Sequence, residues 1–112
     1  MNSLYKNLNT KEMHTVISSI AKVYRQAKKY MDLSAYSGYI RERQAEYDEN
    51  RSIIALVDRT LQDCSRDTQL IIRKEYLENN QQEQWYLEYY SKTTYYRMRK
   101  KAMEEFLENM NL

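Results

Sequence analysis

The chain has 112 residues, a formal net charge of +2, no proline and a single glycine. This length predicts one domain, or one small domain with a helical extension, and the scarcity of helix breakers predicts long helices with short joints. The charge is too small to indicate a nucleic-acid partner by itself. The single cysteine excludes an internal disulfide, and no signal-peptide core or membrane-length apolar stretch is present. An all-α cytoplasmic protein is expected.

The first predicted helix begins after Asn9 or Thr10, because either side chain can cap it. Apolar residues then recur at helical spacing along one stripe. The stripe is Met13, Val16, Ile17, Ile20, Tyr24, Ala27 and Met31. A loop is expected over 32–38, the only credible loop in the first half of the chain.

The second predicted helix extends from about Tyr39 towards Cys64. Its apolar stripe is Ile40, Tyr47, Ile54, Val57 and Leu61, widened by Ile53 and Leu56. The heavily charged segment 42–51 is expected to be solvated or to face a partner. Together the two helices predict an antiparallel hairpin over 1–64, a candidate dimerisation or partner-binding region.

The third predicted helix opens the second half of the chain, 65–112. Ser65 can cap this helix, and Asp67 is favourably placed in its first turn. Its apolar contacts are expected from Leu70, Ile71, Tyr76 and Leu77. Asn79 and Asn80 are expected to end it, since asparagine tolerates the left-handed backbone at a helix C-terminus.

Two more helices complete the prediction. A short one is expected over 82–89, with Trp85 and Leu87 in the core. Ser91 can cap the last, which is expected to continue to about Asn109. Its predicted buried stripe is Tyr95, Met98, Ala102, Phe106 and Met110. Its predicted exposed side carries Lys92, Thr93, Tyr96, Arg97 and Lys100.

The segment 89–102 combines a capping serine, aromatic residues and five positive charges without an acidic residue. From Ser65 onward the layout resembles the fourth region of bacterial sigma factors, and more closely the ArpU and RinA group of phage-type transcription regulators. The matching segments are 70–77 (LIIRKEYL), 85–90 (WYLEYY) and 91–102 (SKTTYYRMRKKA), with Phe106 closing. The resemblance implies a three-helix, sigma-region-four-like helix-turn-helix in 65–112 that binds duplex DNA. Many such turns have glycine at the joint, where this chain has Tyr89-Tyr90, so a longer turn is expected.

The resemblance also implies which residues contact DNA. They are Ser91, Lys92, Thr93, Thr94, Tyr96, Arg97, Arg99, Lys100 and Lys101. Arg97 would fork onto guanine O6 and N7 in the major groove, while the Ser91 end of the helix would offer free N–H groups to a phosphate. Arg99, Lys100 and Lys101 would hold the phosphate backbone, which makes binding sensitive to salt.

Other kinds of site have weaker support. His14 is the only histidine and has no evident metal-binding partners, so it is expected to face solvent. Cys64 is expected to be a small buried side chain, and Glu104, Glu105 and Glu108 a solubilising patch. A glycine loop for phosphate is absent. Neither an enzyme, nor a metal site, nor a cofactor is therefore expected.

The functional expectation is a small transcriptional regulator of phage or mobile-element type. It would act as a homodimer or beside RNA polymerase, since one short helix gives limited specificity. One alternative is a helical interaction or scaffold protein that does not bind DNA, as the near-neutral total charge and segment 42–51 suggest. Another is an RNA- or single-strand-binding protein in which Tyr89, Tyr90, Tyr95 and Tyr96 would stack on bases, although Tyr95 belongs to the predicted buried stripe.

Overall fold

The computed structural model describes residues 4–37, 43–78 and 82–112. Every regular element in these ranges is helical, which confirms the all-α class. The four α-helices are α1 (Thr10–Ser37), α2 (Gln44–Gln62), α3 (Arg66–Ile72) and α4 (Lys92–Asn109). A π-helical turn, Arg73–Leu77, continues α3, and single 3₁₀ turns are formed by Leu4–Asn7 and Trp85–Glu88.

Helix α1 is capped by Asn9, as predicted. The Asn9 Oδ1 atom accepts a hydrogen bond from the Glu12 amide at 2.8 Å, and the Glu12 carboxylate accepts one from the Asn9 amide at 3.0 Å. This reciprocal pair is a capping box. The loop expected over 32–38 is wrong as far as Ser37, because α1 continues to that residue. No proline interrupts the segment, and the buried Ser34 hydroxyl bonds back to the Met31 carbonyl at 2.9 Å.

Helix α2 packs back along α1 and forms the expected hairpin. The Tyr24 hydroxyl of α1 donates a hydrogen bond to the Asp58 carboxylate of α2 at 2.9 Å. Val57 and Leu61 are buried as predicted, whereas Leu56, expected to widen the stripe, is 53% exposed. The described part of segment 42–51 is largely solvent-exposed, as expected. The predicted positions Tyr39 and Ile40 lie outside the described residues.

Helix α3 begins at the predicted cap, where Ser65 Oγ accepts a hydrogen bond from the Thr68 amide at 3.3 Å. The helix and its π-helical turn end at Leu77, since Glu78 has an extended backbone with ψ of 143°. Asn79 and Asn80, expected to end this helix, lie outside the described residues.

The short helix expected over 82–89 is reduced to the 3₁₀ turn Trp85–Glu88. Trp85 is buried as predicted, but the prediction for Leu87 is wrong, since it is 53% exposed. Tyr86 takes the inner position instead, because its ring stacks on Tyr95 with centroids 3.9 Å apart and planes 3° from parallel.

The core consists of two groups of buried side chains. The larger group joins α1, α2, the π-helical turn and α4, and Ile17, Leu61 and Phe106 lie within it. The smaller group is Ile71, Trp85, Tyr86, Tyr95 and Ala102. Because the larger group takes residues from both 1–64 and 65–112, α4 is held against the hairpin as well as against α3.

Helix α4 contributes to both groups. Tyr95, Ala102 and Phe106 are buried as predicted, whereas Met98 and Met110, expected in the same stripe, are only half-buried. Met103 and Leu107 are buried although they lie outside that stripe. The buried side of α4 is wider than expected because α1 and α3 both pack against it.

Candidate nucleic-acid interface

Ser91 begins α4, as predicted. Its backbone is extended (φ −68°, ψ 160°), and its Oγ accepts a hydrogen bond from the Thr94 amide at 3.2 Å. Ser91 Oγ also bonds to Thr94 Oγ1 at 2.9 Å, so Thr94 supports the cap. The first turn of α4 has no acidic residue, and the first amides of a helix carry partial positive charge. This end of α4 is therefore suited to an anion.

The joint before α4 is made without glycine. The amides of Tyr89 and Tyr90 both donate to the Tyr86 carbonyl, at 2.9 and 2.8 Å. Tyr89 has φ of −119°, and among the described non-glycine residues only Asn111 has a positive φ. The joint therefore needs no left-handed backbone, which would strain a tyrosine. The Tyr90 hydroxyl adds a hydrogen bond to Asp67 at the start of α3.

Apart from the cap residues Ser91 and Thr94, the predicted DNA-contacting residues form two neighbouring rows on α4. One row, which we call the basic face, consists of Thr93, Arg97, Lys100 and Lys101, all exposed. Arg97 lies four residues after Thr93, and Lys100 and Lys101 lie three and four residues after Arg97, so these residues share one broad side of the helix. Among the described residues, none of the positive side chains of α4 takes part in a salt bridge.

The second row is Lys92, Tyr96 and Arg99, which lines a cavity of about 350 Å³ beside α4. Lys92 is exposed, and Tyr96 is 52% exposed with its ring available for contact. Glu75 of the π-helical turn and Glu83 also line this cavity. The cavity brings residues that are far apart in the chain to one site, and the sequence pattern contains no sign of it.

Arg99 is engaged inside the protein. Its Nη2 atom lies 2.8 Å from His14 Nδ1 and 3.1 Å from the Tyr76 hydroxyl, and Tyr76 is buried. His14 is exposed as expected, but its ring also contacts Tyr76, with the nearest polar atoms 2.8 Å apart. The guanidinium thus connects α4 to α1 and to the π-helical turn. Its expected contact with the phosphate backbone stays a prediction.

The aromatic residues near the joint form a packed cluster. The Trp85 ring meets Tyr95 edge-on at 5.6 Å, and its Nε1 donates to the Glu75 carboxylate at 2.8 Å. Tyr95 is 2% exposed, which confirms it as a core residue. Tyr90, expected to be exposed, is half-buried. Of the tyrosines considered for base stacking, Tyr89 and Tyr96 are the exposed ones, at 53% and 52%.

Lys6 is a basic residue near this site that the sequence did not indicate. It lies in the 3₁₀ turn before α1 and shares a cavity of about 510 Å³ with Lys100 and Glu104 of α4. The two lysines are separated by most of the chain, so their proximity depends on the packing of the N-terminal turn against α4.

The acidic residues of α4 differ in role. Glu105 accepts hydrogen bonds from the amide and hydroxyl of Ser65, both at 3.0 Å. Burial opposes ionisation of Glu105, yet the hydrogen bonds from Thr68 and Ser65 keep its pKa below the usual value. Glu105 therefore supports the start of α3, whereas Glu108 is exposed, as a solubilising residue would be.

Cys64 is buried as predicted, and burial raises the pKa of its thiol. Its sulfur lies between the Thr60 carbonyl and the Asn109 side chain, each at 3.2 Å. The part of the chain that the structure describes contains no group of three or more histidine, cysteine or acidic residues placed to hold a metal ion. It also has no helix long and apolar enough to cross a membrane.

Comparison of this chain with protein-family models, with curated proteins and with solved structures finds no match. The resemblance to the ArpU and RinA regulators therefore stays a prediction.

Proposed function

We propose that the protein is a small transcriptional regulator of phage or mobile-element type that binds duplex DNA through the N-terminal half of α4. The main support is the basic face, where Arg97, Lys100 and Lys101 are exposed without a salt bridge among the described residues. The opposite side of α4 is packed against α1 and α3, so this helix is a rigid support for its exposed side chains. An exposed helix of this kind suits the major groove.

Different parts of the basic face suit different contacts. Arg97 lies in its centre, where a guanidinium can fork onto guanine O6 and N7. Lys100 and Lys101 lie one turn further along and suit phosphates. The first amides of α4 lie beside the Ser91 cap and suit a further phosphate. Glu104 lies four residues after Lys100, on the same side of α4, so the positive surface ends there. Only the first half of α4 would therefore enter the groove.

The proposed helix-turn-helix differs from the sequence expectation in its supporting helix. The segment 82–89 contains only the 3₁₀ turn Trp85–Glu88, which is too short to be a helix that crosses the DNA backbone. Helix α3 packs extensively against α4 and carries the Asp67 carboxylate that binds Tyr90. We infer that α3 is the supporting helix and that the 3₁₀ turn belongs to the connection between α3 and α4.

A second candidate function is favoured by an apolar groove on the hairpin. Its lining includes Ile20 and Val23 of α1 and Ile53 and Leu56 of α2. Val23 is 45% exposed and Leu56 53% exposed. Exposed apolar side chains that lie together are typical of an interaction surface. In a DNA-binding regulator, the groove would be the contact surface of a homodimer or of a complex with RNA polymerase. In a protein that does not bind DNA, the groove would indicate a helical interaction protein.

Duplex binding can be measured by fluorescence anisotropy with a pool of randomised DNA duplexes between about 50 and 200 mM salt. The affinity of the wild-type protein is expected to fall steeply as salt rises. The double variant Lys100→Ala, Lys101→Ala is expected to reduce the slope of log K against log salt by about 2, since each lost phosphate contact removes about 0.9. A matched control, Lys29→Ala with Arg51→Ala, removes two exposed charges outside α4 and should leave the slope unchanged.

Two results would overturn the DNA proposal: no salt-sensitive binding by the wild type, or an equal loss of slope in the control. Sedimentation measures whether the wild-type protein and the Leu56→Asp variant self-associate, and this separates the second candidate function from DNA binding. Self-association that depends on Leu56, together with an absence of DNA binding, would favour the interaction protein.

A further inference from the structure

A second group of positive side chains lies between α1 and the π-helical turn. It surrounds a cavity of about 420 Å³. The cations that line this cavity are Arg25, Lys28, Lys29 and Arg73. All four side chains are exposed, so a ligand in the cavity can reach them. No residue of the basic face lines this cavity, which makes it a separate positive site.

Neighbouring groups hold these cations at the cavity. Arg25 Nη1 donates a hydrogen bond to the Tyr76 carbonyl, which leaves other N–H groups of the guanidinium for a ligand. Lys28 Nζ lies 5.6 Å from the centroid of the Tyr24 ring, a cation–π contact. Burial raises the pKa of the Tyr24 hydroxyl to about 12, while the charge of Arg73 acts in the opposite direction, so Arg73 lies close to the same tyrosine.

Positive charge exceeds negative charge in the lining of the cavity. The carboxylates of the lining are Asp32 and Glu78, and Glu78 forms a salt bridge at 3.5 Å with Lys74, which is not part of the lining. Within the described ranges 4–37, 43–78 and 82–112, none of the four cations takes part in a salt bridge. Like charges that lie together repel one another, and a concave wall concentrates their field. An anion with several negative charges would relieve this repulsion.

We propose that this cavity binds a pyrophosphate group, either as the free anion or as part of a nucleoside diphosphate. Guanidinium groups donate paired hydrogen bonds to phosphate oxygens, whereas ammonium groups bind phosphate as point charges. Arg25 and Arg73 supply the paired hydrogen bonds, and Lys28 and Lys29 supply the point charges. The cavity volume of about 420 Å³ is typical of a site for a small ligand, which favours a compact anion over a nucleic-acid duplex.

The inference goes beyond duplex binding and does not depend on it. The four cations belong to α1 and the π-helical turn, whereas the basic face belongs to α4. Failure of either proposal would therefore leave the other intact.

Isothermal titration calorimetry of the full chain with pyrophosphate tests the proposal, in a buffer without phosphate or divalent cations. Saturable binding is expected to persist at about 100 mM salt, because the charges lie in a cavity and are screened less than charges on an open surface. Orthophosphate is expected to bind at least about tenfold more weakly, since it makes fewer charge-assisted hydrogen bonds. Adenosine diphosphate forms the second arm. Binding tighter than that of pyrophosphate identifies a nucleotide as the ligand, and equal or weaker binding identifies the free anion.

Lys28→Gln with Arg73→Gln removes one cation from each element that forms the cavity. This double variant is expected to bind pyrophosphate at least about tenfold more weakly, and Arg73→Gln alone should show part of the same loss. The matched control is Lys22→Gln with Arg51→Gln, which removes two exposed cations outside the lining. Its affinity should lie within about twofold of the wild-type value, because distant exposed charges are screened.

Asp32 provides a test of the opposite sign. Asp32→Asn removes a carboxylate from the lining and should tighten the binding of pyrophosphate, because an anion in the cavity is repelled by Asp32. Glu49→Gln removes an exposed carboxylate outside the lining and should leave the affinity unchanged.

The proposal is overturned by an absence of saturable pyrophosphate binding, or by an equal loss of affinity in the cavity variant and its control. It is also overturned if Lys100→Ala with Lys101→Ala loses as much affinity as the cavity variant, since the anion would then bind on the basic face. Displacement of pyrophosphate by the randomised duplexes would identify a nucleic-acid backbone as the ligand, which would overturn the proposal as well.

Discussion

Arg99→Ala is expected to weaken the attachment of α4 to the hairpin. In the folded protein Arg99 Nη2 donates to His14 Nδ1 at 2.8 Å and to the Tyr76 hydroxyl at 3.1 Å. The first contact reaches α1 and the second reaches the π-helical turn. Truncation removes both hydrogen bonds and the packing of the arginine stem.

The expected loss can be worked from these contacts. Hydrogen bonds from a charged donor contribute about 1.5–3 kcal/mol each. The two bonds here share one nitrogen, so we count them together as a single contribution. Arg99 is only half-buried and His14 is exposed, so this contribution lies in the lower part of that range. We expect Arg99→Ala to reduce the free energy of unfolding by about 2 kcal/mol, a large part of the ~5–15 kcal/mol of a typical domain. Arg97→Ala, on the exposed basic face, should change it by less than about 0.5 kcal/mol.

Urea unfolding followed by Trp85 fluorescence measures the difference, provided that the dependence on urea concentration is the same for both variants. A double-mutant cycle with His14→Ala should show coupling of about 0.5 kcal/mol or more, since the two side chains touch. Equal stability of Arg97→Ala and Arg99→Ala, or additivity of Arg99→Ala with His14→Ala, would refute the structural role of Arg99.

Two other predictions concern the helix caps and the effect of high pH. In thermal or urea unfolding, Ser91→Ala should lower the free energy of unfolding by about 1 kcal/mol, because it removes a helix cap. Ser65→Ala should lower it by more, since the Ser65 hydroxyl also binds Glu105. Equal losses in the two variants would contradict the role of Glu105. Burial and the hydrogen bond to Asp58 raise the pKa of Tyr24 to about 12, from the value of 10.0 expected in the unfolded chain. The unfolded state then loses this proton first, so the stabilisation is complete below pH 10 and falls as the pH rises towards 12. Tyr24→Phe should show a less steep loss of stability over that interval, and an unchanged slope would contradict the assignment.

The helix starts could be predicted because capping involves residues only three apart. Asn9, Ser65 and Ser91 each satisfy an amide three residues later, and all three begin helices at or next to the predicted positions. The helix ends were harder to predict. Helix α1 continues to Ser37 because the segment lacks a strong breaker, while the end of α3 at Leu77 coincides with a π-helical turn that has no evident local signal.

The burial of apolar side chains was predicted where one stripe of a helix packs against one neighbouring helix. It was not predicted where two partners meet one helix, as for Met103 and Leu107 of α4. Tyr86 is buried in place of Leu87 for a similar reason, since a stacked tyrosine pair outweighs the preference of leucine for the interior. Such choices depend on side chains distant in the chain, which hydrophobic periodicity does not contain.

By itself the sequence determined the all-α class, the three cap positions and the exposure of Arg97 and Lys100. Each of these follows from local spacing and from the scarcity of helix breakers. Only the tertiary structure decided that Arg99 binds His14 and Tyr76, and that Lys92 and Tyr96 share a cavity with Glu75. These contacts join residues from separate helices, and they exist because α1, the π-helical turn and α4 pack around one core.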